Sequence, residues 1–199
     1  MNPFENRMGF SLPPFQVEYR HANAVEQLTQ HLAQRFRHKP YDDDLVILCI
    51  GTDRSTGDAL GPLVGSKLKA NAEPLLHVYG TLEDPVHAIN LSEKIGHIES
   101  VHPRATIIAI DACLGQFSNV GNINVADGPL KPGAGVKKDL PSVGTFHITG
   151  IVNVGGFMEY FVLQNTRLSI VMNMADTIAT ALYEAASLHA SEQNRSKSV

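Results

Sequence analysis

Apolar runs that alternate with amphipathic stretches predict an α/β fold: a twisted, mainly parallel sheet with helices on both faces, in three α/β/α layers. Two observations carry this expectation. Residues 45–50 and 105–110 are continuous apolar runs, the form taken by strands buried on both faces of a parallel sheet. The first breaks at Gly51 into a polar, glycine-punctuated loop and resumes at Asp58 with Leu60, Leu63, Val64 and Leu68 near helical spacing. At 199 residues, 43% hydrophobic and 18% charged, the chain can bury one full-sized core.

The elements follow in order. Residues 1–20, with Pro3, Pro13 and Pro14, read as an extended arm. Residues 22–36 set Val25, Leu28, Leu32 and Phe36 at spacings of three and four, an amphipathic helix that Pro40 closes. After the strand at 45–50, the 51–57 loop and the helix from Asp58, a short strand at 75–79 ends in Gly80. Asp84 as N-cap and Pro85 at the first helical position then open a helix with Val86, Ile89, Ile95 and Ile98 on its apolar side. Residues 105–110 form the next strand, stopping at Asp111.

Beyond Asp111, glycine and proline recur too often for a long helix before Gly144. Residues 122–126 read as a strand and 127–141, with Lys131, Lys137 and Lys138, as a long mobile loop bordering the active crevice. Residues 146–150 lead into a helical segment through Phe157, Tyr160, Phe161 and Leu163. A last strand is expected at 168–172 and a closing helix at 174–189. The domain reading is an arm at 1–20, a single α/β domain at 21–190 and a polar tail at 191–199.

Composition narrows the function. The net charge of -4, with no Lys/Arg cluster, argues against nucleic acid and anionic membranes as partners. The two cysteines, Cys49 and Cys113, fall in or just after apolar runs and read as reduced, buried thiols. With no signal-peptide core and no apolar stretch of about 20 residues, a soluble cytoplasmic protein is expected.

Asp58 and Asp111 are the candidate catalytic residues, because each follows a buried strand and parallel strands end on one edge, where ligands of open α/β sheets bind. Two carboxylates held close cannot both ionise cheaply, so a shared proton would make an acid/base pair able to activate water against an amide. With a cation between them they become hard ligands, and His147 can add a nitrogen. The plainer alternatives are a helix cap for Asp58, loop-amide contacts for Asp111 and a backbone-bonded histidine for His147. His77, His87, His97 and His102 lack ligand-type spacing and read as surface or structural. The 51–57 loop is a weak phosphate cradle, without the Lys-Ser/Thr ending of a P-loop, and Asp58 would repel a phosphate there.

The run Gly51-Thr52-Asp53-Arg54-Ser55-Thr56-Gly57-Asp58-Ala59-Leu60-Gly61-Pro62, with Ile110-Asp111-Ala112 later, resembles the sporulation protein YyaC family of spore proteases. The wider group comprises the germination protease of spores and the hydrogenase maturation endopeptidases. The resemblance covers most of 45–182 and implies the phosphorylase/hydrolase-like architecture. In the germination protease, similar segments supply aspartates implicated in cleavage, at the places of Asp58 and Asp111. In the hydrogenase endopeptidases an acidic residue, an aspartate and a histidine bind the metal of the substrate, and Phe146-His147-Ile148-Thr149-Gly150 is similar to their His-x-x-Gly segment. What this implies is an endopeptidase acting on a protein substrate in sporulation or germination, in the mother cell or forespore. No cofactor is required in that reading. The alternative is a non-catalytic metal- or protein-binding regulatory protein; in either case a divalent ion such as nickel or zinc at Asp58, Asp111 and His147 stays open. Self-association as a homo-oligomer is left open.

Overall fold

The computed structural model describes residues 11–39, 44–70, 75–133 and 140–197. In chain order these form β1 (Phe15–Glu18), α1 (Ala24–Arg37), β2 (Leu45–Cys49), α2 (Leu60–Ala70), β3 (His77–Tyr79) and α3 (Leu91–Val101). There follow β4 (Thr106–Gly115), β5 (Asn122–Asp127), β6 (Phe146–Val154), α4 (Glu159–Gln164) and α5 (Leu168–Lys197). A single six-stranded sheet runs β1-β5-β6-β4-β2-β3. The β2–β3, β2–β4 and β4–β6 pairs are parallel, while β5 pairs antiparallel with both β1 and β6.

Alternation along the strands sends side chains to two cores. Ile47, Cys49, Ile108, Ile110, Phe146 and Ile148 pack on one face against α1, α2 and α5. Val46, Leu48, Ile107 and Ala109 face the other way, onto α3, Leu130 and Val143. The architecture is therefore α/β with helical cover on both faces of a mostly parallel sheet.

Several elements differ from the sequence reading. Residues 146–154 are a strand, β6, at the centre of the sheet rather than the approach to a helix. Gly150 lies within this strand, and a side chain there would press on Leu60 and Met174, so the glycine serves close packing of α2 and α5. Residues 168–172, expected as a strand, are the first turns of α5. Val171, Met174, Ala175, Ile178, Ala179, Leu182, Ala185 and Ala186 are all buried, one helical stripe that absorbs the short apolar run. That helix continues to Lys197, through the expected polar tail. Phe15–Glu18, expected within the arm, is a sheet edge, with Val17 buried against β5.

The helix expected from Asp84 and Pro85 starts instead at Leu91. Val86 is held in an isolated parallel bridge with Ile50, and Gly51 N–H donates to Val86 O at 2.8 Å. Backbone drawn into the sheet edge cannot also turn helical. Of the 127–141 loop, which was expected to be mobile, residues 134–139, including Lys137 and Lys138, lie outside the described residues. Within its described part Leu130 and Val143 exchange backbone hydrogen bonds of 2.8 and 2.9 Å.

Candidate functional site

The chain leaves β2 toward β3 on one side and returns in β4 on the other, which makes the carboxyl ends of β2 and β4 a topological switch point, where open α/β sheets bind ligands. A cavity of about 520 Å³ lies there. Its walls include Thr52, Ser55 and Asp58 from the β2–α2 loop, His87 and Ile89 from the turn before α3, and Asp111 and Cys113 of β4. Lys131, Thr149 of β6, and Tyr160 and Leu163 of α4 complete much of the rest.

Asp111 enters because β4 outruns β2. The last β2–β4 pair is Cys49–Ile110, while β4 continues to Gly115 against β6, pairing Asp111 with Thr149. The strand thus does not stop at Asp111, as the polar residue suggests; the long β6 supplies backbone partners that keep it extended. Asp111 is buried, and its Oδ1 accepts the Ala112 N–H at 2.8 Å.

Asp58 enters through a short 3-10 turn, Gly57–Ala59, that precedes α2. Gly51 has a φ of 142°, and a side chain there would collide with the Asp58 carbonyl oxygen, so only glycine lets the loop close. The Thr52 N–H donates to that same oxygen at 3.1 Å. Gly61 likewise allows α2 to sit directly on the backbone of Ile50. The loop's form thus fixes where Asp58 stands.

Electrostatics couples the two carboxyls. Burial pushes the Asp111 carboxyl well above its ordinary value, and the nearby Asp58 charge pushes it further, with the Ala112 N–H opposing. Asp58 is also raised, chiefly by burial, against the Thr52 N–H and the charge of His87. One proton is therefore favoured on the pair, and it belongs mainly with Asp111, the more deeply buried. Cys113 is half-buried in the same wall, and burial pushes its thiol up to about 11, so it carries no thiolate at neutral pH. Ser55 Oγ is buried, lines the cavity and has no hydrogen-bond partner among the described residues.

His147 is not brought to this cavity. It shares a face of β6 with Thr149 but lies two residues earlier, and its Nδ1 is 2.9 Å from Gly128 O, a backbone acceptor. Asp58, Asp111 and His147 do not form a three-donor set in this arrangement. The histidine that does reach the cavity is His87, which sequence spacing passed over. Its turn is fixed by Asn90, whose Oδ1 accepts the His87 N–H at 2.8 Å and whose Nδ2 donates to Pro85 O at 3.0 Å. Only the Val86–Ile50 bridge, a long-range contact, could have pointed to it.

A family described as "Protein of unknown function (DUF1256)" matches residues 16–181. The chain is 57% identical over 166 residues to "Uncharacterized protein YyaC" of Bacillus subtilis (strain 168), spanning 83% of this chain and 80% of that protein. Among solved structures, the [NiFe] hydrogenase maturation protease HycI of Thermococcus kodakarensis KOD1 matches with a TM-score of 0.51, covering 72% of this chain and 92% of that one. At 19% identity that likeness speaks for the fold alone. On the family match across 16–181 and the identity to YyaC, the chain belongs to the DUF1256 family.

Proposed function

We propose that the protein is an endopeptidase that uses Asp58 and Asp111 as a proton-sharing pair to activate water against a peptide bond. The observation that carries this is the electrostatic coupling of two carboxyls in one cavity at the sheet's switch point. In the reacting complex, Asp58 as carboxylate takes a proton from the attacking water while its oxygen bonds to the carbonyl carbon. Asp111, protonated, gives its proton to the departing amide nitrogen as the C–N bond breaks. The pair then exchanges one proton to reset.

A protein substrate fits the surroundings. Ile89 (79% exposed) and Tyr160 (64%) stand at the cavity wall, and Phe157 (87%) precedes Tyr160 in the chain. Apolar groups left in water around a cleft mark a surface that another chain covers. A setting in sporulation or germination rests on the resemblance of the 51–62 segment to spore proteases. The same exposed residues favour a second reading, a non-catalytic protein-binding regulator. His147, which does not line the cavity with Asp58 and Asp111, gives a metal there no third ligand in this arrangement.

Incubation of purified protein with candidate spore proteins, with and without chelator, tests the reading. Cleavage that survives chelation and disappears in both Asp58→Asn and Asp111→Asn is the expected result. Unchanged cleavage in either variant removes the pair from the mechanism. Stable binding without cleavage moves the assignment to the regulator, and loss of activity on chelation with recovery on added zinc or nickel moves it to the metal reading.

A further inference from the structure

At the opposite, amino-terminal edge of the sheet, three residues from distant segments converge. Asp44 immediately precedes β2, His77 opens β3, and His102 follows α3. One ligand atom from each lies within 4.8 Å of the others, and they are the set of three or more His, Cys, Asp or Glu so gathered among the described residues. His102 Nδ1 is 2.7 Å from Asp44 Oδ2, and His77 Nε2 is 3.7 Å from Asp44 Oδ1. The two imidazole rings lie 4.3 Å apart, centroid to centroid.

The surroundings order this set. His102 is buried, with its N–H bonded to Ile98 O at 2.7 Å and its carbonyl accepting from Ala105 N–H at 3.1 Å, so its ring has a fixed base. Its Nε2 lies 3.0 Å from the Tyr79 hydroxyl. A carboxylate only accepts, so Nδ1 carries the proton toward Asp44, and in the neutral ring Nε2 accepts from Tyr79 O–H. The Asp44 backbone is pinned as well, its carbonyl accepting Thr106 N–H at 2.8 Å. Asp44 and His77 are themselves exposed, which leaves the set open to solvent and to an entering ion.

We propose that Asp44, His77 and His102 bind a divalent transition-metal ion, of which zinc is the natural probe. Two imidazole nitrogens and one carboxylate oxygen are the donors that zinc takes at about 2.0–2.2 Å, leaving its fourth position to water. Tetrahedral coordination at such bond lengths needs donors roughly 3.3 Å apart, so Asp44 and His102 open slightly while the exposed His77 turns inward. On binding, the His102 proton moves from Nδ1 to Nε2, and Nε2–H then donates to the Tyr79 oxygen. That is the hydrogen bond from the far ring nitrogen that metal-bound histidines characteristically make. The hydrogen bond from His102 holds the Asp44 carboxyl below its ordinary range. Lys39, whose charge also reaches Asp44, works against a dication there. The ion would tie together the entrances of three adjacent strands, far from the Asp58–Asp111 cavity.

Zinc titration of chelator-stripped protein by calorimetry tests this, with His77→Ala and Asp44→Asn as the informative variants, since both side chains are exposed and the backbone bond of Asp44 to Thr106 is kept. One zinc per chain is expected, weakened at least about tenfold in each variant, while the Asp58→Asn/Asp111→Asn double variant binds as the wild type does. Saturating zinc should raise Tm by about 5 °C. The 15N shifts of the His102 ring should report the tautomer change. Absence of saturable binding by the wild type, or undiminished binding by His77→Ala and Asp44→Asn, overturns the proposal. Binding lost only in the Asp58→Asn/Asp111→Asn variant assigns the ion to the other cavity and equally overturns it.

Discussion

Asp111 stands one residue beyond Ile110, the last β4 residue paired with β2, and from there it shares a cavity with Asp58, whose charge helps hold the Asp111 carboxyl protonated. The first prediction follows from the sign of that shift. A carboxyl raised in the folded state contributes stability that is fully present below its unfolded pKa of about 3.9 and is lost as pH rises through the folded value. Asp111→Asn keeps an oxygen for the Ala112 N–H and removes the buried acid. Its Tm should equal or exceed that of the wild type at pH 7, and the difference should close toward pH 4. A variant markedly less stable than wild type at pH 7 would contradict the burial argument.

Gly51→Ala tests the loop that carries Asp58. With φ at 142° and the Asp58 carbonyl in the way, an alanine costs about 1–3 kcal/mol in backbone strain and moves the loop outward. Loss of stability measured by urea unfolding should accompany loss of any Asp58-dependent activity. Wild-type stability in Gly51→Ala would show that the loop closes in another way.

Arg35 and Asp127 form an ion pair on the face that carries α1, with Arg35 fully buried and its guanidinium over the Phe146 ring at 4.9 Å. Asp127→Ala leaves that cation without its carboxylate. A loss of about 3 kcal/mol or more is expected from the urea midpoint, because an uncompensated buried charge is far costlier than a missing surface pair.

His31 supplies a pH-dependent prediction. Burial first, and then the charge of Arg35, depress its pKa to about 4. A neutral ring is also what the Arg35 Nε–H requires as acceptor at 3.1 Å, with Phe15 stacked at 4.6 Å. A depressed histidine contributes stability that is present above its unfolded pKa of about 6.5 and lost as pH falls toward the folded value. NMR titration should find the His31 ring neutral at pH 5.5, and His31→Gln should flatten the loss of stability between about pH 6.5 and 4.

What the sequence determined by itself was whatever local pattern can encode. The run 45–50, the glycine after it and the helix from Asp58 fix a strand, a tight loop and a carboxylate, because an unbroken apolar run, backbone freedom and helical spacing are all properties of neighbouring residues. Asp111 was legible for the same reason, as a polar residue after an apolar run. Tertiary structure decided the rest. Short apolar runs at 146–150 and 168–172 are compatible with strand or helix, and the choice went to β6 through its pairing with β4 and β5 and to α5 through a stripe shared with the helix beyond it. His87 reached the cavity through the turn that Val86 pins to Ile50, while His147 bonds to Gly128 O and does not line it. Asp44, His77 and His102 carry no ligand-type spacing, since they come from three segments that meet only when parallel strands align their starts. Spacing along the chain reports neighbours on one helix or strand, whereas a site at the edge of a parallel sheet is assembled across strands, by contacts that no local pattern records.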